Sequence, residues 1–149
     1  MTYYYRSPIG WIEAEGKGAA WTSLKFVARR PVGAALLKKQ TPLFRQLQQY
    51  FQQKRRTFSV ALSPSGTAFQ NRVWKALQRV PHGQTVSYAQ IAARIGNKKG
   101  VRAVASAITQ NRLTVIIPCH RVIGSDGTLT GYAYGLRKKA WLLKHEKGL

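Results

Sequence analysis

The sequence has few acidic residues, a single cysteine and no long apolar run, and each of these shortages argues against a class of protein. A single cysteine excludes an intrachain disulfide framework, and with only three histidines it offers little basis for a structural zinc site. No apolar stretch approaches the roughly 20 residues of a membrane-crossing helix. The polar residues that follow Met1–Tyr5 do not continue as a signal peptide would. We therefore expect a cytoplasmic protein with no metal and no membrane partner.

The scarcity of acid leaves a large excess of positive charge. The 149 residues include 25 lysines and arginines against 4 aspartates and glutamates, a formal net charge of +21. A field this positive attracts a polyanion, and nucleic acid is the usual one because phosphate contacts release counterions. An acidic membrane is the rival partner, but no basic amphipathic helix with a broad apolar face stands out. Solubility alone requires far less charge than this.

The N-terminal part is predicted to form strands followed by one helix. Residues 2–26 are rich in Tyr, Trp and Ile around a Ser-Pro-Ile-Gly break, which predicts short strands and turns. A basic loop follows at 27–41, and apolar residues then recur with helical spacing from Leu43 to Phe51.

A short linker is predicted at residues 62–66, with the sequence Leu-Ser-Pro-Ser-Gly. It divides the chain into an N-terminal supporting module, residues 1–64, and a C-terminal domain, residues 65–149. The predicted fold class is α+β. A small α/β module, with a short antiparallel sheet and a helix, precedes a mostly helical domain.

The C-terminal domain begins with three predicted helices. Thr67 and Gln70 form a capping-box pattern ahead of the first, and Ser87 and Gln90 form another ahead of the second. After a glycine and a short turn, a third helix is expected at Val101–Gln110. A helix, a short turn and a further helix predict a helix-turn-helix arrangement.

The remainder of the chain is expected to hold a buried strand, Leu113–Ile117, which runs directly into a Pro-Cys-His-Arg-Val segment. The last helix is predicted at Leu136–Glu146, with Leu136, Ala140 and Leu143 on one face.

Cys119 is the only soft nucleophile in the chain, and the residues alone leave its role open. It is either a buried structural cysteine or a nucleophile that the fold brings beside a histidine and an acid. His120 and Glu146 are the candidate partners. Their ordinary alternatives are a hydrogen-bonded structural histidine and a solvated helix end. The residues by themselves therefore predict a nucleic-acid-binding helix pair beside a candidate nucleophile.

The segment Ile117-Pro-Cys-His-Arg-Val122 resembles the active-site signature of the O6-alkylguanine-DNA alkyltransferases, also called methylated-DNA–protein-cysteine methyltransferases. The resemblance covers residues 66–148 closely and the N-terminal part only through Ser7-Pro-Ile-Gly10. Further matches at family-like spacing are Ser87-Tyr88, Val101–Val104, Asn111, Gly131-Tyr132 and Trp141–Glu146.

The resemblance implies a repair reaction. An alkyl group, usually methyl, would pass from O6-alkylguanine, or O4-alkylthymine, in double-stranded DNA to Cys119, once and irreversibly. Glu146, His120 and a water would draw the proton from the thiol, because the thiolate is the nucleophile. Asn111 would fix the turn around the cysteine, and Tyr88 would donate a hydrogen bond to a guanine ring nitrogen.

The resemblance also implies a pocket for the extruded base. The Ala133 N–H would reach the guanine O6, and the carbonyls of the cysteine and of Val122 would read the exocyclic amine. The pocket walls would be Pro118, Tyr132 and Tyr134. Tyr134 stands where many relatives have glycine. Because its side chain is bulky, we expect it to narrow the pocket and disfavour large adducts.

For the DNA, the family pattern implies minor-groove entry by the third helix after the damaged nucleotide is rotated out. Arg102 would fill the gap, and Lys98 and Lys99 would hold phosphates. Small residues would let the helix approach the sugars closely: Ala103, Ala105 and Ser106. The expected protein acts as a nucleoid-associated monomer without a cofactor.

Three alternatives stay open. A helix-turn-helix regulator or a lesion sensor would bind without transfer, although sensors of this kind lack the acceptor cysteine. A cysteine hydrolase would turn over and keep no lasting mass change. An uncommitted basic protein would bind normal and alkylated duplex alike.

Overall fold

The computed structural model describes residues Met1–Gly148, and the chain forms two compact units. The first unit comprises Met1–Ser65 together with Arg112–Thr114, and the second comprises Gly66–Asn111 and the residues from Val115 onward. Leu149, with which the predicted C-terminal domain ends, lies outside the described residues. The predicted α+β class is confirmed.

A three-stranded antiparallel sheet forms the first half of the first unit, in the spatial order β1-β2-β3. Its strands are β1 (Thr2–Ser7), β2 (Gly10–Lys17) and β3 (Ala20–Val27). Side chains alternate between the two faces of a sheet, so the paired residues Tyr5, Ile12 and Phe26 share one face, and all three are buried.

The helix of the first unit, α1 (Pro42–Phe51), starts at Thr41. The Thr41 hydroxyl accepts a hydrogen bond from Phe44 N, and Pro42 occupies the first helical position, where its missing N–H costs nothing. Apolar residues at i, i+4 and i+7 face the core of the unit: Leu43, Leu47 and Tyr50.

Four helices carry the second unit: α2 (Ala68–Gln78), α3 (Tyr88–Arg94), α4 (Val101–Thr109) and α5 (Leu136–Glu146). Both predicted capping boxes are present at the starts of α2 and α3. Gly96, at φ 73°, ends α3, and a short turn leads to α4, so the predicted helix-turn-helix is confirmed. Trp74 Nε1, on α2, donates a hydrogen bond to Ala107 O, on α4, at 2.9 Å, and this bond links the two helices.

Two very short strands link the beginning of α3 to the segment that follows the cysteine. Strand β4 (Val86–Ser87) pairs in parallel with β5 (Val122–Ile123). Tyr88, the first residue of α3, is thereby held beside this segment.

The predicted strand Leu113–Ile117 is wrong. Leu24 N donates to Arg112 O at 2.8 Å and Thr114 N donates to Leu24 O at 3.1 Å, but the extended pairing stops there. Val115 has φ 71°, a left-handed conformation that a β-branched residue rarely adopts, and the chain turns. A short apolar run signals burial but does not distinguish a strand from a buried turn. Residues 112–114, which make these two hydrogen bonds with Leu24, belong to the first unit, whereas the predicted division placed them in the second.

The bounds of the last helix are confirmed, but the face that carries Leu136, Ala140 and Leu143 is not the side that the helix buries. Leu136 is 48% exposed, whereas α5 buries the side that carries Lys139, Leu142 and Glu146. These residues are spaced i, i+3 and i+7, so they share one side of a helix. The hydrophobic pattern missed this side because two of its three members are charged.

Candidate active site

Cys119 opens a single turn of 3-10 helix, Cys119–Arg121, directly before β5. The residue is buried, with 7% of its surface exposed. Cys119 N donates to Ile117 O at 2.8 Å, and the Asn111 side-chain amide donates to the same carbonyl at 2.8 Å. Asn111 is itself buried, so it ties the end of α4 to the backbone two residues before the cysteine.

His120 and Glu146, 26 positions apart, meet inside the second unit. His120 Nε2 lies 2.6 Å from Glu146 Oε2, and both side chains are fully buried. Glu146 is the last residue of α5, so the packing of that helix fixes where its carboxylate lies. The structure therefore brings the two candidate relay residues together, and one of them, His120, directly follows the cysteine in sequence.

Arg121 completes this network, although no role was predicted for it from the sequence. Its Nε donates to Glu146 Oε1 at 2.8 Å and its Nη2 to Oε2 at 3.1 Å, a two-pronged contact, while Nη1 donates to Val80 O at 2.6 Å. A planar guanidinium suits such paired bonds. The sequence offered one indication of this role: Arg121 directly follows the signature cysteine and histidine, and the chain has only 4 acidic residues that could pair with it.

Burial sets the charge of the histidine. It lowers the pKa of His120, an effect that the hydrogen bond to Glu146 opposes and the charge of Arg121 supports, so the ring is neutral at pH 7. Burial by itself raises the pKa of Glu146, but the hydrogen bonds from His120 and Arg121 and the charge of Arg121 oppose it, and this pKa lies well below its usual range. We assign the ring proton to Nε2, facing the carboxylate. His120 Nδ1 is then an acceptor, and it is buried without a hydrogen-bond partner among residues Met1–Gly148.

Tyr88 and Lys139 converge on one carbonyl. The Tyr88 hydroxyl donates to Thr130 O at 3.0 Å, and Lys139 Nζ donates to the same oxygen at 2.5 Å. Lys139 Nζ also lies 6.0 Å from the centre of the Tyr88 ring. Gly131, at φ 65°, permits this approach, because a Cβ there would stand 2.8 Å from the Tyr88 hydroxyl.

Lys139 is the second functional candidate that the sequence analysis missed. Burial lowers its pKa to about 8, and the nearby Cys119 partly counters the shift. Burial raises the pKa of Tyr134 to about 12, and Cys119 adds to that rise. Both groups therefore lie within electrostatic reach of the sulfur, one as a cation that favours a thiolate and the other as a neutral phenol.

The other predicted pocket residues fall in two short segments of the chain, 118–122 and 132–134, and differ in exposure. Pro118, Val122 and Tyr132 are buried, Tyr134 is half-buried, and Ala133 is exposed. The rings of Tyr132 and Tyr134 meet edge to face, with their centres 5.6 Å apart.

The predicted DNA-binding residues lie on α4 and on the turn before it. Arg102, Ala103 and Ser106 are exposed on one side of α4, Ala105 is half-buried, and both turn lysines, Lys98 and Lys99, are exposed. Within the described chain, no cluster of three or more His, Cys, Asp or Glu side chains could hold a metal ion. None of the described helices is long and apolar enough to cross a membrane.

Comparisons with known proteins find relatives of similar sequence and a solved structure of similar fold. Residues 68–148 match the sequence model of the 6-O-methylguanine DNA methyltransferase DNA-binding domain. A methylated-DNA–protein-cysteine methyltransferase of Methanosarcina barkeri is 53% identical over 103 residues, which are 69% of this chain and 65% of that protein. A Haemophilus influenzae protein of the same name is 38% identical, with 97% of this chain and 84% of that protein covered. The Mycobacterium tuberculosis OGT structure in complex with DNA superposes with a TM-score of 0.90 at 39% identity, covering 99% of this chain and 92% of that one.

Proposed function

The chain belongs to the 6-O-methylguanine DNA methyltransferase family, and from that premise we propose that it repairs DNA by moving an alkyl group, typically methyl, from guanine O6 to Cys119. The observation that carries the proposal is the buried His120–Glu146–Arg121 network next to the only cysteine in the chain. O4-alkylthymine is the second expected substrate.

The thiol is activated by proton transfer. His120 is neutral, and its Nδ1 is the ring atom left to take the Cys119 proton through a water. The Glu146 carboxylate stabilises the imidazolium that forms, and Arg121 keeps the carboxylate ionised and in place. Lys139 adds a positive charge that favours the thiolate.

The thiolate then displaces guanine at the alkyl carbon. A carbon–sulfur bond forms as the carbon–O6 bond breaks, and the electron pair leaves on the guanine. The Tyr88 hydroxyl donates to Thr130 O in this structure. When guanine is bound, it donates instead to a ring nitrogen of the base, and the Ala133 N–H donates to O6. The thioether product is stable to the groups present, so one molecule repairs one lesion without a cofactor.

The pocket receives a base rotated out of the duplex, at a cost of a few kcal/mol. Pro118, Val122 and Tyr132 form its walls, and Tyr134 limits the size of the adduct. The exposed side of α4 enters the minor groove, where Arg102 fills the gap that the extruded nucleotide leaves. We assign double-stranded DNA as partner, a monomeric state and a cytoplasmic, nucleoid-associated location.

Intact-mass measurement tests the proposal directly. The full chain is mixed with a duplex that contains one O6-methylguanine, and the expected result is the addition of one methyl group, mapped to Cys119. The Cys119→Ala variant should bind the duplex and gain no mass. Repeated product release without a mass change would instead indicate a hydrolase, and binding alone a sensor or a nonspecific binder.

A further inference from the structure

The first unit carries a basic surface for which the proposed repair reaction has no use. Five exposed cations lie on α1 and on the segments that flank it, and we call them the α1 strip: Lys38, Lys39, Arg45, Lys54 and Arg56. No acidic residue occurs anywhere from Lys38 to Arg56. Within the described residues, none of the five cations lies within ion-pair distance of a carboxylate.

The helix presents Arg45 to solvent, and the other four cations of the strip are exposed on the segments before and after it. Leu43, Leu47 and Tyr50 face the core, so Arg45 and the glutamines at 48 and 52 occupy the opposite side. After α1 the chain folds back on the helix, because Lys54 N donates to Gln49 O at 2.8 Å. Cations therefore stand at both ends of a helix about 15 Å long.

Helix stability does not explain this arrangement. Cations near the C-terminus of a helix, such as Lys54 and Arg56, favour its dipole, but cations near the N-terminus, such as Lys38 and Lys39, oppose it. The first turn of α1 contains no acid to compensate. The two acids of the first unit, Glu13 and Glu15, lie instead on β2, where Glu13 is already bound by Lys25 at 3.3 Å.

We infer that the α1 strip binds the phosphate backbone of double-stranded DNA, so that the first unit adds sequence-independent affinity to a repair protein. Two lysines lie just before the positive end of the α1 dipole, and with no acid in the first turn to offset them they attract an anion. Cations spread over the length of a helix, with glutamine donors between them, match a repeating polyanion better than a single small anion. This inference rests on the proposed function, because the DNA partner is taken from there.

The test compares two variants of the full chain with equal net charge. The strip variant is Lys39→Gln with Lys54→Gln, and the matched control is Lys17→Gln with Arg29→Gln, which removes two exposed cations elsewhere in the first unit. Affinity for a long unmodified duplex is measured by fluorescence anisotropy as salt is raised. Methyl transfer to Cys119 from an O6-methylguanine duplex at low salt is measured separately for each protein.

Each lost phosphate contact lowers the slope of log affinity against log salt by about 0.9. The slope of the strip variant should therefore be less steep than that of wild type by about 1.8. Between about 50 and 200 mM salt, the drop in its affinity should be smaller than the wild-type drop by a factor of roughly 10. The control should keep the wild-type slope, and Lys39→Arg with Lys54→Arg should restore it.

Equal slopes for the strip variant and the control would overturn the inference, because total charge would then be the only cause. Loss of binding to phosphatidylserine vesicles with an unchanged DNA slope would also overturn it, in favour of a membrane surface. Failure of the proposed function is a separate result, since wild type itself would then transfer no methyl group. One methyl per molecule in every variant shows that each protein is folded.

Discussion

Replacing Arg121 with methionine removes the cation that holds Glu146. The substitution breaks the two hydrogen bonds to the carboxylate, at 2.8 and 3.1 Å, and the one to Val80 O at 2.6 Å. Methionine retains much of the apolar bulk of arginine, so the effect isolates the charge and its hydrogen bonds. Glu146 keeps His120 as a partner at 2.6 Å.

The magnitude follows from burial. Removing one partner of a buried ion pair costs about 3–5 kcal/mol, because the other charge stays buried without compensation. His120 remains bound to the carboxylate, so we expect the lower end of this range, about 3 kcal/mol. For a chain of this size, this corresponds to a fall in melting temperature of roughly 6–12 °C.

The pH dependence has a defined sign. The pKa of His120 is lowered in the folded state, so the unfolded chain binds more protons, and wild type loses stability as pH falls below about 6.5. Arg121 contributes to that lowering, and its removal raises the pKa of His120 toward the unfolded value. The variant therefore loses less stability between pH 7 and pH 5, and the gap to wild type narrows. Its methyl-transfer rate falls at a higher pH than in wild type, because a protonated His120 no longer accepts a proton.

Thermal unfolding by circular dichroism at pH 5, 6 and 7 and single-turnover methyl transfer over the same range measure both effects. Arg137→Met, the same chemical change at an exposed position of α5, is the matched control. Equal melting temperatures for Arg121→Met and Arg137→Met at pH 7 would refute the stabilising role of Arg121. A gap between Arg121→Met and wild type that widens in acid would refute the assigned charge of His120.

Three further predictions concern the pocket and the turn. Tyr134→Gly should raise the rate with O6-benzylguanine relative to O6-methylguanine, because the half-buried ring narrows the pocket; an equal change in the two rates would contradict this. Asn111→Ala should cost about 1–3 kcal/mol in urea unfolding and slow methyl transfer, because Ile117 O loses its buried side-chain donor. Lys139→Met should shift the reaction of Cys119 with iodoacetamide to higher pH, because a cation that favours the thiolate is lost; an unchanged pH profile would show that Lys139 is structural.

The starts of α2 and α3 could be predicted from sequence because their causes are local. In each capping box, the two residues that exchange hydrogen bonds are three positions apart, as with Thr67 and Gln70. The segment Leu113–Ile117 could not be predicted in the same way. Its apolar side chains indicated burial correctly, but pairing with Leu24 in the first unit and the left-handed turn at Val115 decided its conformation.

The sequence by itself determined the helix starts, the excess of positive charge and the signature around Cys119, since each is a property of residue type and short spacing. Only the tertiary structure decided which charged groups are buried together. Arg121 reaches Glu146 across 25 positions and Val80 across 41, and Lys139 reaches the carbonyl that Tyr88 also binds. The physical reason is that a buried charge is stable only where the fold supplies its partner, and no local pattern records which distant group that will be.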